Sequence, residues 1–253
     1  IESIVYNYGK SEVLTRMSDP NWFQALGAVM GMHWNSSGVT ATVLGSLKPH
    51  INGKSNDLGL YILGGKGRQQ NYSSRQIERI SNKHDLPGQE LVKSCRLTRR
   101  IDNNAVQDGF DLYQQYFILS DEGEWTSISQ GMNKNNRRAR RYHWHSPTVR
   151  SFVDAPHTGI CGLEDQQVLN LVDAQADMLR TNMVKLTKEK PQYIVEAMRD
   201  AELPNRHDVR KEDVNMTRLG SVLDLAYNRN IENFEDLVDL HGVGPRTLKA
   251  LAM

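Results

Sequence analysis

The sequence predicts an α+β fold. We expect a mixed domain over residues 1–204, in which a sheet containing a β-hairpin packs with helices. A small all-helical domain over residues 205–253 is expected to follow and to end in a helix-hairpin-helix motif. Three observations support this prediction: apolar strand patterns at 112–119 and 125–128 around a turn, helical spacing of apolar residues in most other segments, and a terminal Gly-Val-Gly-Pro sequence between two apolar helices.

The composition is that of an ordinary globular protein. Of 253 residues, 38% are hydrophobic and 24% are charged, and the chain is long enough for one or two domains. No apolar run reaches the ~18 residues of a membrane span and no signal peptide opens the chain, so we expect a cytoplasmic protein without membrane contact. With only Cys95 and Cys161, a disulfide framework is excluded. The chain begins at Ile1 rather than Met, which indicates a fragment or a processed form.

The first segments alternate between predicted helices and strands. Asp19 is the expected N-cap of a helix that starts at Pro20. The β-branched residues 39–44 and the apolar residues 58–63 predict two strands. The glycine-rich residues 64–68 then form a turn that could hold a phosphate beside Lys66, and a mobile surface turn is the alternative interpretation.

Helices are predicted in most of the chain beyond residue 72. Ser73 and Pro87 each open a helix ahead of the β-hairpin, which turns at residues 121–123. The apolar spacing over 163–188 predicts one long helix, and another helix follows Pro191. The polar residues 203–207 are the expected linker to the terminal domain.

A basic segment follows the hairpin. Five cations and no anion lie between Lys134 and Arg141, although the net charge of the whole chain is only +1. We expect phosphates to be held by Arg137, Arg138, Arg140 and Arg141. Trp144, just beyond them, would stack on an exposed base. The alternative is a solvated helix face with no ligand.

Four potential metal ligands lie within fifteen residues of one another: His143, His145, Asp154 and His157. Imidazole and carboxylate groups suit a divalent ion such as Zn, Mn or Mg, which would polarise a phosphate and generate a hydroxide. We predict that His143, Asp154 and His157 form the catalytic or metal-binding group. A second interpretation is that Asp154 forms a turn and that the histidines only pack or meet phosphates.

Carboxylates near the hairpin offer a weaker catalytic pattern. Asp108 and Asp111 precede one strand, while Glu122 and Glu124 lie near the next. Mg-dependent nucleases often add a Lys on the second strand, and none follows Glu124 here. Asp108 is retained as a catalytic candidate because it is close to the basic segment.

The terminal hairpin predicts contact with a DNA backbone. Gly242 and Gly244 permit a tight turn with positive φ, and Pro245 suits the first turn of a helix. Arg246 and Lys249 would lie on one face beside the helix start, where a phosphate is favoured. A plain helical hairpin with a glycine cap is the alternative. Arg246 occupies the place of the lysine that lyase-type glycosylases use, and this disfavours that chemistry.

Several sequence blocks resemble a known family. The blocks are DPNWFQALG (19–27), HWNSSG (33–38), GGKG (64–67), QGMN (130–133), ARRYHW (139–144) and PHT (156–158), together with the terminal Gly242-Val243-Gly244. They resemble the largely archaeal domain of unknown function 763 family over nearly the whole chain. The resemblance implies an archaeal, cytosolic, DNA-processing context and no defined reaction.

Three functional hypotheses follow. The leading one is a DNA-binding protein of repair or recombination that acts as a metal-dependent nuclease on single-stranded or structured DNA. The second is a non-enzymatic DNA-binding module that recruits or positions a partner. The third is an RNA-processing factor, which the basic and aromatic segment also suits.

Overall fold

A five-stranded antiparallel sheet organises the fold, in agreement with the predicted α+β class. The computed structural model describes residues 1–34, 36–134, 136–162, 168–200 and 215–252. The sheet has the strand order β1-β3-β4-β5-β6, and β2 pairs with β7 in a separate two-stranded sheet. The strands are β1 (Leu60–Lys66), β2 (Val106–Gln107), β3 (Asp111–Ser120), β4 (Trp125–Met132), β5 (Ala139–His145), β6 (Gly159–Cys161) and β7 (Leu169–Asn170).

Helices cover both faces of the large sheet. Within the described residues they are α1 (Glu2–Tyr8), α2 (Lys10–Ser18), α3 (Pro20–Val29), α4 (Val39–Gly53), α5 (Ser55–Leu58), α6 (Ser73–His84), α7 (Gly88–Arg100), α8 (Asp177–Leu186), α9 (Pro191–Asp200), α10 (Met216–Asn228), α11 (Phe234–Asp239) and α12 (Pro245–Leu251). A π-helical turn over Ile101–Ala105 continues α7. No helix in the described part of the chain is both long and apolar enough to cross a membrane.

One face of the sheet packs on the N-terminal helices. Alternate strand residues such as Ile62, Ile118 and Ile128 enter an apolar cluster with residues of α2, α3 and α4. Each fully buried side chain of this size contributes about 1.5–3 kcal/mol. Asp19 caps α3 by accepting from the backbone N–H of Asn21 and Trp22, as its position before Pro20 predicted.

The opposite face packs on α6, α7 and the C-terminal helices. The strands contribute Phe117, Tyr142 and Trp144 to this second apolar cluster. The same cluster contains Leu219 of α10 and Leu248 of α12, so the C-terminal helices share a core with the sheet. The predicted domain boundary at 204/205 and the linker at 203–207 lie outside the described residues.

Two element predictions were wrong. Residues 39–44 are the first turns of α4, not a strand, because Val39, Val43 and Leu44 bury one helical face against the sheet. The long helix predicted over 163–188 is absent from the described part of that range: Leu169–Asn170 is a strand and α8 begins only at Asp177. The helices at Ser73 and Pro191, the helix after Pro87, the strand near residue 60 and the β-hairpin are confirmed.

Candidate functional site

Four exposed cations lie at one end of the large sheet. Lys66 ends β1, and Arg68 follows two residues later. Arg137 and Arg138 lie in the turn that joins β4 to β5. This turn is at the same end, because the strand register aligns Lys66 of β1 with Gln130 near the end of β4. We call these four residues the basic end. Nearby Lys134 is paired with Asp111 at 2.6 Å and adds little net charge.

The other end of the sheet is acidic. The β3–β4 turn carries Asp121, Glu122 and Glu124, which are paired with Lys10 and His145. Because β3 has ten residues, its two ends are separated by about 30 Å. Asp108 and Asp111 therefore do not converge with Glu122 and Glu124 on one metal ion.

Two of the four predicted phosphate-binding arginines are buried. Arg140 is 4% exposed and Arg141 is 6% exposed, because β5 is an inner strand with both faces covered. The predicted stacking residue Trp144 has no exposed surface at all. Phosphate contact by Arg140 and Arg141 and base stacking by Trp144 were therefore wrong predictions for this conformation, whereas Arg137 and Arg138 are exposed.

The predicted group of His143, Asp154 and His157 does not assemble. His143 points to the face of the N-terminal helices, where its Nδ1–H donates to the Met17 carbonyl at 3.0 Å. His157 lies against Trp144 on the opposite face, and exposed Asp154 is 3.5 Å from Arg180. Among the described residues, no group of three or more His, Cys, Asp or Glu side chains could hold a metal ion.

His143 instead belongs to a buried polar chain. Its Nε2 accepts a hydrogen bond from Arg141 Nε at 2.7 Å. Arg141 also donates to Gln24 Oε1 at 3.2 Å and lies 4.6 Å from the centre of the Phe23 ring. Burial, and then the charge of Arg141, hold the pKa of His143 well below its usual value, so the ring is neutral.

Asp102 forms a second buried polar group that the sequence analysis missed. Its carboxylate lies in the π-helical turn and accepts from Trp144 Nε1 at 3.0 Å and from the Ser129 hydroxyl. His157 Nε2 donates to the same carboxylate at 2.7 Å. Within the described structure no hydrogen bond to His157 Nδ1 is present, so this nitrogen keeps a lone pair when Nε2 carries the hydrogen.

Asp108 is completely buried on the same face of the sheet. It accepts from Tyr142 at 2.7 Å, and Arg140 Nε lies 3.3 Å from the same oxygen. Burial raises the pKa of Asp108, while the bond from Tyr142 and the charge of Arg140 oppose the rise. The pKa of Tyr142 is raised strongly, first by burial and then by Asp108. Asp108 is therefore near a residue of the basic segment, as predicted, but it has no open approach from solvent.

Two short helices meet at a turn near the C-terminus. α11 and α12 are joined by a tight turn in which Gly242 has φ +88°. Gly244 has φ −131° and caps α12, so only one of the two glycines requires positive φ. A groove of about 400 Å³ borders this turn, lined in part by Arg218, Gly242, Gly244 and Arg246. Open space surrounds the Cα of Gly244, which allows another molecule to approach the backbone closely.

Specific polar contacts fasten the hairpin to the rest of the chain. Arg96 donates twice to Asp239, and Arg100 donates to the carbonyls of Val238 and Leu240. Gln107 Nε2 donates to the carbonyl of Pro245, the first residue of α12, at 2.8 Å.

This last contact brings the hairpin near the basic end. Gln107 is four residues from Asp111, which is paired with Lys134 at the edge of that end. Four residues of chain span at most about 14 Å. The chain that contacts α12 through Gln107 therefore leads, within about 14 Å, to the residue paired with Lys134.

A comparison with protein families gives one match. A family model described as "Protein of unknown function (DUF763)" matches residues 1–253. The chain belongs to the DUF763 family. This confirms the resemblance drawn from the sequence blocks, including the 33–38 and 139–144 blocks. No curated protein and no solved structure matches the chain.

Two residues of this DUF763 protein gain importance only from the structure. Asp102 follows Arg99-Arg100-Ile101 in what looks like a continuing helix, and an acidic residue there usually faces solvent. Trp34 lies in the polar and aromatic 33–38 block, whose composition is typical of loops that line sites, and it is 62% exposed. The composition of the block was the only sequence signal for Trp34.

Proposed function

We propose that this protein binds DNA through the basic end of its sheet together with the C-terminal hairpin. The proposal rests on the position of four exposed cations at one end of the sheet. Two of them, Lys66 and Arg68, are about seventy residues from the other two, Arg137 and Arg138. The carboxylates of the β3–β4 turn lie about 30 Å away, so the electrostatic potential is more positive at the basic end. Phosphates would approach the basic end and avoid the β3–β4 turn.

The hairpin adds a second, sequence-independent contact. Arg246 is exposed and Lys249 is partly exposed beside the Gly242–Gly244 turn. Unlike the basic end, this part of the chain has no excess of positive charge. We therefore assign to the hairpin the positioning of the backbone and to the basic end most of the attraction. Two free cysteines fit the reducing cytoplasm that we propose as the location.

Salt dependence of binding tests this proposal. Neutralising four to six phosphates gives a slope of about −3.6 to −5.4 in a plot of log affinity against log salt for duplex DNA. The double variant Arg137→Ala/Arg138→Ala should reduce the slope by about 1.8. The control, Lys54→Ala/Lys83→Ala, removes two exposed charges at the opposite end of the sheet and should leave the slope unchanged. Equal effects of the two double variants would contradict the proposal.

A nuclease of DNA repair or recombination is the second candidate. The observation that favours it is the Asp102–His157 pair, in which a buried carboxylate orients an imidazole and leaves Nδ1 able to accept a proton. A general base of this kind could activate water for attack on a phosphodiester. The divalent metal ion that we predicted from the sequence would have to bind without the His143, Asp154 and His157 group.

Cleavage assays separate the nuclease from a non-enzymatic DNA-binding module. Labelled single-stranded and branched DNA would be incubated with Mg²⁺, Mn²⁺ or Zn²⁺, and separately with EDTA. His157→Asn should abolish cleavage and leave binding intact, and His50→Asn, at an exposed histidine paired with Glu2, is the control. Absence of cleavage by the unaltered protein under every condition would favour the module that positions a partner. Competition between matched DNA and RNA strands tests the RNA-processing alternative.

A further inference from the structure

A row of polar side chains crosses the sheet just beneath the basic end. Lys66 of β1 is opposite Gln114 of β3, Gln114 is opposite Gln130 of β4, and Gln130 is opposite Arg141 of β5. Strand alternation places all four on the face of the N-terminal helices, one layer beyond the apolar residues of that core. With about 4.8 Å between strands, the row is about 14 Å wide.

A loop is fastened over this row. Gln130 Nε2 donates to the carbonyl of Ser37 at 2.8 Å, and its Oε1 accepts from Thr40. Gln24 Nε2 donates to the carbonyl of Trp34 at 2.7 Å. Gln24 is itself held by Arg141. Gln24 and Gln130 thus hold the carbonyls of Trp34 and Ser37 in place.

The loop presents an indole to solvent. Trp34 is 62% exposed although its backbone carbonyl is anchored, whereas Trp125 and Trp144 are buried in the core. Successive contacts lead from Ser37 to the basic end. Gln130 bonds to both Ser37 and Tyr113, and Lys66 Nζ lies 5.9 Å from the centre of the Tyr113 ring. An exposed aromatic ring with an anchored backbone, connected through these contacts to a group of cations, suits stacking on a base next to a phosphate backbone.

The polar row also has an unused acceptor. Gln114 Oε1 is buried and has no hydrogen-bond partner among the described residues, while its Nε2 donates to Tyr113 at 3.3 Å. A buried amide oxygen without a partner costs free energy that a donor would recover. Gln114 is itself completely buried, so this acceptor lies below the surface that Trp34 and Lys66 present.

We propose that Trp34 and the basic end form a site for an unpaired nucleobase and its flanking phosphates, so that the preferred ligand contains single-stranded nucleic acid. The inference rests on the proposed DNA binding and names its substrate class. Trp34 stacks on the base, and Lys66, Arg137 and Arg138 hold the flanking phosphates. Gln24, Gln130 and Arg141 are positioning residues, because they hold the loop and do not reach the ligand. The stacking role predicted for Trp144 passes to Trp34.

The test compares a single-stranded oligonucleotide with a blunt duplex of the same length. Trp34→Ala should weaken single-strand binding by about 5- to 150-fold, the range that stacking contributes per base, and change duplex binding by less than about twofold. Trp34→Phe should restore most of the loss. Tyr6→Ala, at an 89% exposed ring on α1, is the control and should change neither affinity. Quenching of tryptophan fluorescence by the single strand should disappear in Trp34→Phe.

The possible results distinguish failure of DNA binding from failure of the base site. If the unaltered protein binds neither oligonucleotide, both the proposed function and this inference fail. If it binds both, and Trp34→Ala leaves the ratio of the two affinities unchanged, the base site is refuted and backbone binding stands.

Discussion

The neutral, buried His143 makes the stability of this protein sensitive to acid. Its ring can accept from Arg141 only while Nε2 carries no proton, because a protonated ring would set two donors against each other. Burial and the charge of Arg141 lower the pKa of His143 in the folded state well below 6.5. In the unfolded chain the imidazole has its ordinary pKa of about 6.5.

The sign and size of the effect follow from this difference. A histidine whose pKa is lowered by folding contributes stability that is present above about pH 6.5 and is lost as pH falls toward the folded pKa. Each pH unit in that window costs about 1.4 kcal/mol, so acidification from pH 7 to pH 5 should remove about 2 kcal/mol. This is a large share of the 5–15 kcal/mol that typically separates folded from unfolded domains. The loss should also loosen the Trp34 loop, which Arg141 holds through Gln24.

Urea unfolding at pH 7 and pH 5 measures this loss. We expect His143→Gln to retain an acceptor for Arg141 without a titrating group, so its stability should fall by about 2 kcal/mol less than that of the unaltered protein over this range. Asp108, whose pKa is raised by burial, has the opposite sign: its contribution is lost as pH rises through its folded pKa. Both proteins contain Asp108, so it cancels from the comparison. Identical pH dependence in the two proteins would refute the assignment of a neutral His143.

Three further predictions concern stability. Asp102→Ala should cost about 3–5 kcal/mol in urea unfolding, because it leaves three buried donors without their acceptor; a loss below about 1 kcal/mol would contradict that network. Gly64→Ala should cost at least about 2 kcal/mol, since φ is +77° and the new Cβ would lie 2.4 Å from a backbone oxygen. Gly53→Ala, with nothing within 4 Å, is its control and should stabilise by up to about 1 kcal/mol. Arg96→Ala should cost about 1 kcal/mol and speed proteolysis of the C-terminal helices, and unchanged proteolysis would show that the pair with Asp239 does not fasten them.

Local signals in the sequence were sufficient for the fold class and for many elements. Asp19 before Pro20 specifies a helix start through hydrogen bonds within three residues. The apolar strand patterns on either side of the turn at Asp121–Gly123 specify the hairpin in the same local way, and Gly242 marks the terminal turn. The β-branched residues of 39–44 misled because tertiary packing outweighs strand propensity when one helical face can be buried.

The candidate site was predicted only in part. Arg137, Arg138 and Lys66 are exposed as the basic segment and the glycine-rich stretch indicated, but the turn predicted over 64–68 was wrong, because residues 64–66 continue β1. Arg141 and Trp144 belong to the same basic and aromatic segment, but they lie on the inner strand β5. Nothing in that segment shows that both faces of β5 are covered. Burial depends on which strands flank β5, and those strands are remote in sequence.

By itself, the sequence determined the α+β class, the family, the cations and the glycines of the terminal turn, because propensity, capping and composition act over short stretches of chain. Only the tertiary structure decided which of those residues meet solvent and which meet one another. Strand order turned Arg140, Arg141, His143 and Trp144 inward and brought Gln130, which holds the Ser37 carbonyl, into one row with Lys66. Neighbouring residues on a strand face opposite sides of the sheet, so His143 and Trp144 of β5 point to opposite faces. His157 packs on Trp144 and is therefore on the face opposite His143.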